Sequence, residues 1–404
     1  MRWWQKWVVR DIWLAMIFLV ICGVGAGVTL WKLAPHQPRL DKRLNYCLPG
    51  SWGHLRYTEM VIEPPPGVVN VMALPTNATC WYLEALSPLV LKQRLLGCGL
   101  SESLAVALQT NATPVAGGNG FLLHPPDDLV VNLGTGDRAN LYGLLATHTQ
   151  NVAHTTPFRF ELNTQRDWFE GTQLTPAVET LLRKLVYREG NMQLFSDLPL
   201  VLRRHPEHAL YARLFRALSR EVALDVRLHL LPGDSTKDLA HYWGWPDREA
   251  EVAARMTAAQ EPGGNHTVPL QELLPPFPRE RLNLYPGPDD PSFSGCHYTT
   301  LNFFSRQPDL RFTSLSEVSL TLQRDYLEVP GKEYQLGDVL LFVKKGEGVV
   351  HSCNFLAANL VFTKNGGSLV RPWRIARLDD LMDFYSYPKP VTLRVMRRRD
   401  LLKN

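Results

Sequence analysis

The sequence predicts an α+β protein: a C-terminal domain of helix plus antiparallel sheet, a separate mixed α/β domain before it, and an N-terminal transmembrane helix. Three observations carry this. An uncharged run of 20 residues lies near the start of the chain. A proline-rich stretch separates two regions of different pattern. Late in the chain, three strand-like runs follow one another at short intervals. At 404 residues the chain exceeds one ordinary core, so two folded units with appendages are expected. A net charge of +4 is mild for this length, and no aromatic-and-basic module is present, so nucleic acid is not an expected partner.

Residues 1–34 form the membrane segment. Ile12 to Trp31, as a helix, spans about 30 Å, the thickness of a bilayer's hydrocarbon. Trp3, Trp4, Trp7 and Trp13 crowd one end and Trp31 the other, as in interfacial aromatic belts. Basic residues flank both ends, so the positive-inside rule does not set the orientation. Two readings stand: an uncleaved anchor, which is preferred, or a signal peptide cut among Gly23 to Gly27. With eleven residues ahead of the apolar segment, an anchor places the bulk of the protein across the membrane.

Residues 45–260 form the mixed domain. "GVVNVMAL", "DLVVNL" and "DVRLHLL" read as strands. "PAVETLLRKLVYRE", "HALYARLFRALSREV" and "PDREAEVAARMTA" read as helices. In the second helix Leu210, Leu214 and Leu218 make a core-facing stripe. "NLGTG" brings a phosphate loop to mind, but the spacing is not GxGxxG and no P-loop lysine follows, so it reads as a tight turn before a helix. Residues 261–280 are the expected linker, at the head of a 33-residue segment with eight prolines. Residues 281–404 complete the chain as the C-terminal domain.

Six cysteines are present, with Cys22 inside the apolar run. Two of Cys47, Cys80 and Cys98 could pair in an oxidising compartment, with the pairing open. No CxxC or HExxH spacing exists, so no metal site is expected and no cofactor is required.

The chemistry gathers in the C-terminal domain. In "SGCHYTTLNFF" Ser294 can cap a helix whose first turn holds Cys296, where unpaired amides and the helix dipole favour a thiolate. A nucleophilic thiol needs a base. "DVLLFV", "VVHSCNFLA" and "NLVFTKN" read as an antiparallel meander, with His351 near the start of its second strand. If the hairpin turns at Ala358, position 351 faces Asn365, which would steady the imidazole; a shifted turn would present Lys364 or Gly366. Neighbouring helical residues point some 100° apart, which makes His297 a rim residue on the substrate side rather than the base. Cys353 reads as core. Leu378, Leu381 and Met382 mark a further helix, with Trp373 in a loop before it.

A helix-borne cysteine, then a Gly-Asp-apolar strand, then a histidine on the next strand, resembles the NlpC/P60 superfamily of papain-like cysteine peptidases. "GDVLLF" is similar to that family's "GDLVFF" strand, and "HSCNFL" to its "HVGIYL". Tyr285, 11 residues before Cys296, stands where the family often has a loop tyrosine. The family's "DCSG" is here "GCHY". The resemblance covers about residues 280–370. It implies a papain-like domain and hydrolysis of an amide bond by Cys296, His351 and Asn365, with Tyr285 and His297 at the substrate. It also implies a cell-wall peptide as substrate. The protein would then sit in the inner membrane by a single pass through residues 12–31, with its bulk periplasmic or extracellular, or be secreted after cleavage. The contrasting expectation is an inactive envelope scaffold of the same fold.

Overall fold

The chain follows an α+β plan, with its strands in antiparallel sheets. The computed structural model describes residues 44–65, 77–161, 168–190, 192–287, 290–291, 295–330, 333–387 and 389–402. The apolar run at 12–31 and the strand expected at 67–74 lie outside the described residues. No helix among the described residues is long and apolar enough to cross a membrane.

The largest sheet is C-terminal. Its strands are β1 (Tyr326–Glu328), β2 (Val339–Lys344), β3 (Gly348–Ala357), β4 (Leu360–Lys364), β5 (Trp373–Arg377) and β6 (Val391–Arg398), in the order β1-β6-β2-β3-β4-β5. The expected meander is β2-β3-β4. Positive φ at Gly346 (+83°) and Gly348 (+80°) turns the chain between β2 and β3. Ala358, with φ of +51°, opens the turn into β4; the pairs Asn354–Phe362 and Phe355–Val361 lie in the register expected for 351 opposite 365, which shifts by one residue at Ala357–Leu360. Both faces of the sheet are covered. Leu340, Phe342, Cys353, Phe355 and Val361 meet Leu378 and Leu381 in one cluster. Leu360, Phe362, Trp373 and Ile375 meet Tyr298 and Phe303 in another. Burial on both sides explains why "VLLFV" is a continuous apolar run rather than an alternating one. Trp373, expected in a loop, opens β5.

The expected linker at 261–280 does not appear as a gap in the packing. Val268, Leu270, Leu273, Leu274 and Phe277 are all buried within the cluster that also holds Leu55, Leu224, Trp243, Tyr298 and Trp373. Four of the five prolines here stand before or in the first turn of two short helices, Leu270–Leu273 and Pro276–Arg281, where a missing amide costs nothing. Residues Tyr46–Asn404 accordingly form one compact unit. Strand His54–Ile62 pairs along its length with Glu221–His229, and this sheet shares its core with the C-terminal one. A second cluster gathers residues from Trp81 to Val222, together with Val370 and Tyr387, around two three-stranded sheets. Within it Leu210, Leu214 and Leu218 are buried, as the stripe implied. "DLVVNL" differs from its expected strand. Asp127–Asn132 is a short helix, opened by Pro126 and two aspartates in its first turn. "NLGTG" is the turn into helix Thr135–Leu145.

Candidate active site

Cys296 opens α1 (Cys296–Leu301), a helix of only six residues. Its N-cap position is Gly295, without a side-chain cap, and the cap expected at Ser294 lies outside the described residues. Tertiary contacts fix so short a helix. Trp373 Nε1 donates to Thr299 Oγ1 (2.9 Å), and Asn354 Nδ2 donates to the Thr300 carbonyl (3.1 Å). Tyr298 and Phe303 anchor it in the core.

A chain of hydroxyls then sets a histidine tautomer. The Cys296 carbonyl can only accept, so Thr300 Oγ1 donates to it (2.8 Å). Thr300 in turn accepts from Ser352 Oγ (3.0 Å), which leaves Ser352 to accept from His297 Nδ1 (2.8 Å). His297 therefore carries a proton on Nδ1, and its Nε2 remains for the neighbouring sulfur. Burial alone would raise the Cys296 thiol. Hydrogen bonding and charge from His297 and His351 outweigh it and bring the thiol well below its ordinary value. Burial lowers His297, but its coupling to Cys296 prevails and raises it. His297, expected at the rim, is half-buried beside the thiol. Its ring reaches the sulfur because Ser352, on the adjoining strand, holds it there.

His351 is wholly buried. Its Nε2 meets Thr363 Oγ1 at 3.0 Å. Tyr385 stacks on the ring at 4.2 Å and 13°, and Phe342 meets it edge-on at 5.2 Å. Nδ1 makes no hydrogen bond of ordinary geometry, yet the ring is close enough to help lower the thiol. Burial depresses the His351 pKa and Cys296 opposes that, with depression prevailing. The resting proton is therefore favoured on His297 and a neutral imidazole at His351.

Asn365 does not orient His351. The ladder extrapolates to 351 opposite 365, but the imidazole takes the diagonal neighbour Thr363, two residues back on the same face. Asn365 is buried with both amide atoms lacking a partner. The diagonal rule for cross-strand pairs was the available signal for Thr363. Nothing local in the sequence points to Tyr385 or Ser352. Tyr285 is half-buried with an unpartnered hydroxyl; burial, then Glu221, raises its pKa, and its neighbours in charge are Glu221, Arg371 and Arg374 rather than the thiol. Arg374 and Arg371 both pair with Glu221, the former at 2.9 Å. Lys364 donates to the carbonyls of Gly366 and Ser368 and lies 5.6 Å from the Trp373 ring centre. Burial brings Lys364 down to about 8, and the Cys296 charge opposes this. Cys353 is core as expected: burial, then the Cys296 charge, pushes its thiol well up.

Among the described residues no cluster of three His, Cys, Asp or Glu could hold a metal ion. No family model, no curated protein and no solved structure matches this chain.

Proposed function

We propose that the protein is a thiol hydrolase that cleaves an amide bond. The observation that carries this reading is one thiol coupled to two imidazoles, one fixed by Ser352 and the other by Thr363 and Tyr385. The Cys296 thiolate attacks the carbonyl carbon and a C–S bond forms, while a backbone amide near Cys296 steadies the oxyanion. The amine leaves with a proton from an imidazolium. Water then attacks the thioester, an imidazole takes its proton, and the acid and the thiol are released. In this reading a papain-like fold of the NlpC/P60 kind surrounds the site, and the substrate is a cell-wall peptide. The protein is anchored in the inner membrane through residues 12–31 and faces the envelope.

The test is the alkylation rate of Cys296 against pH, with the other cysteines changed to serine, repeated with His297→Ala and His351→Ala. Fast labelling at pH 6 that collapses on losing a histidine supports the reading. Slow labelling with an ordinary thiol profile, indifferent to both, sinks it. That result would favour an inactive envelope scaffold, for which the 9% exposure of Cys296 speaks.

A further inference from the structure

The strand that carries His351 meets a second polar site at its other end. At Phe355 and Leu356, four and five residues beyond His351 and roughly 13–17 Å along β3, it backs an open groove of about 1040 Å³. The groove is lined by the aromatic rings of Trp52, Tyr242, Trp245 and Tyr334. Its floor is held in place. Trp52 and Tyr334 meet Phe355 edge-on at 6.4 and 5.1 Å, and Tyr242 Oη donates to the Leu356 carbonyl at 2.6 Å. Around the rings stand His54, Asp234, Asp238, His241, Glu333 and Gln335. Asp238 and Glu333 are exposed, and Asp234 spends one oxygen on the Leu231 amide.

Four features select a ligand class. Among the described residues no lysine or arginine lines the groove, which disfavours phosphates, carboxylates and nucleic acid there. Asp238, Glu333 and Gln335 supply acceptors and donors, while His241 Nδ1 already meets Glu249 at 2.8 Å and His54 Nε2 lies 3.9 Å from Asp234; this mix suits a ligand rich in hydroxyls. The volume lies at the upper end of the roughly 300–1,000 Å³ range of small-molecule sites, far more than a lone ammonium head would fill. Aromatic faces among such groups offer apolar contact to the C–H faces of sugar rings. We propose that this groove binds an uncharged oligosaccharide chain. The site is independent of the thiol and of the hydrolase reading.

The test titrates the full-length protein in detergent with cellotetraose and with tetra-N-acetylchitotetraose, reading tryptophan fluorescence and isothermal calorimetry. Tetramethylammonium chloride is the cation control. Saturable binding of either saccharide is expected, weakened about tenfold by Trp245→Ala and about threefold by Asp238→Asn. Asp238 is exposed, so its variant tests the groove even if the tryptophan variant does not fold. Alkylation of Cys296 should be unchanged in both. No saturable signal from either saccharide overturns the proposal, as does binding that survives both substitutions, or saturation by tetramethylammonium alone.

Discussion

Two buried polar clusters, one in the core running from Trp81 to Val222 and one at Cys296, respond to loss of water in different ways. In the first, Arg138 Nη1 meets Asp197 Oδ2 at 3.0 Å, Tyr142 donates to Asp197 Oδ1 at 2.7 Å, and Arg138 also donates to the Val130 carbonyl at 2.7 Å. Its cation is permanent, because arginine does not give up its proton. Burial pushes Asp197 up to about 6 against the pull of Arg138 and Tyr142, and brings nearby His154 down to about 3. The second cluster has no permanent charge of its own. A thiol and two imidazoles shift one another's proton affinities, with one nitrogen of each ring tied to Ser352 or Thr363. A buried cation that cannot titrate makes a structural element. Groups of adjustable charge make a reactive one, and burial amplifies both.

The largest expected effect falls on the first cluster. Asp197→Ala leaves Arg138, wholly buried, without its anion, and should cost about 3–5 kcal/mol in urea unfolding with Cys296 alkylation unchanged in the folded protein. A loss below about 1 kcal/mol would break the contrast. Asp197 also gives this region a pH dependence. Its folded pKa, about 6, is raised above the ordinary 3.8. Its contribution is therefore fully present below 3.8 and is lost as pH rises through about 6, a decline in urea midpoint that Asp197→Asn should flatten.

Next in size is removal of an imidazole. His297→Ala should raise the thiol pKa by a unit or more, about 1.4 kcal/mol, and slow alkylation at pH 6 about tenfold or more. The linkage signs oppose one another within the pair. The lowered thiol contributes stability above its ordinary range, lost as pH falls through its folded value. The raised His297 contributes below 6.5, lost as pH rises through its folded value. The ion pair therefore stabilises the window between the two. Urea midpoints that are flat across this window in wild type and unchanged by His297→Ala would separate His297 from the thiol.

A smaller effect is expected at Thr363. Thr363→Val removes one hydrogen bond from His351, about 1 kcal/mol, and should slow alkylation several-fold at pH 6, with Thr363→Ser restoring it. Equal rates in all three would leave the stack on Tyr385 as the orienting contact. The smallest effect is at Cys353. With its thiol held protonated by burial, Cys353→Ser should leave the number of thiols labelled at pH 7 in the folded protein unchanged.

Much of the C-terminal sheet could be read in advance, because short-range signals set it. Glycines turn β2 into β3, and continuous apolar runs mark strands covered on both faces. The helices at 176–185, 208–218 and 249–260 were legible for the same reason, from apolar periodicity within one element. The 261–280 segment was not. Proline content reports local backbone preference and is silent on whether Leu270, Leu273 and Phe277 find a core to enter. Cys296 and His351 were nameable because residue type and order suffice for them.

The sequence by itself determined which groups could be reactive: a cysteine beside a turn, a histidine on the second strand of a meander, and a histidine next to the cysteine. Tertiary structure alone decided their partners and the direction of their pKa shifts. Ser352 draws His297 to the sulfur, and Thr363 rather than Asn365 holds His351. Tyr385, from the helix beyond β5, closes over the ring. The physical reason is range. Turn and strand preferences act over a few residues, whereas hydrogen bonding and desolvation at Cys296 depend on side chains 55 to 89 positions away that only the folded chain brings together.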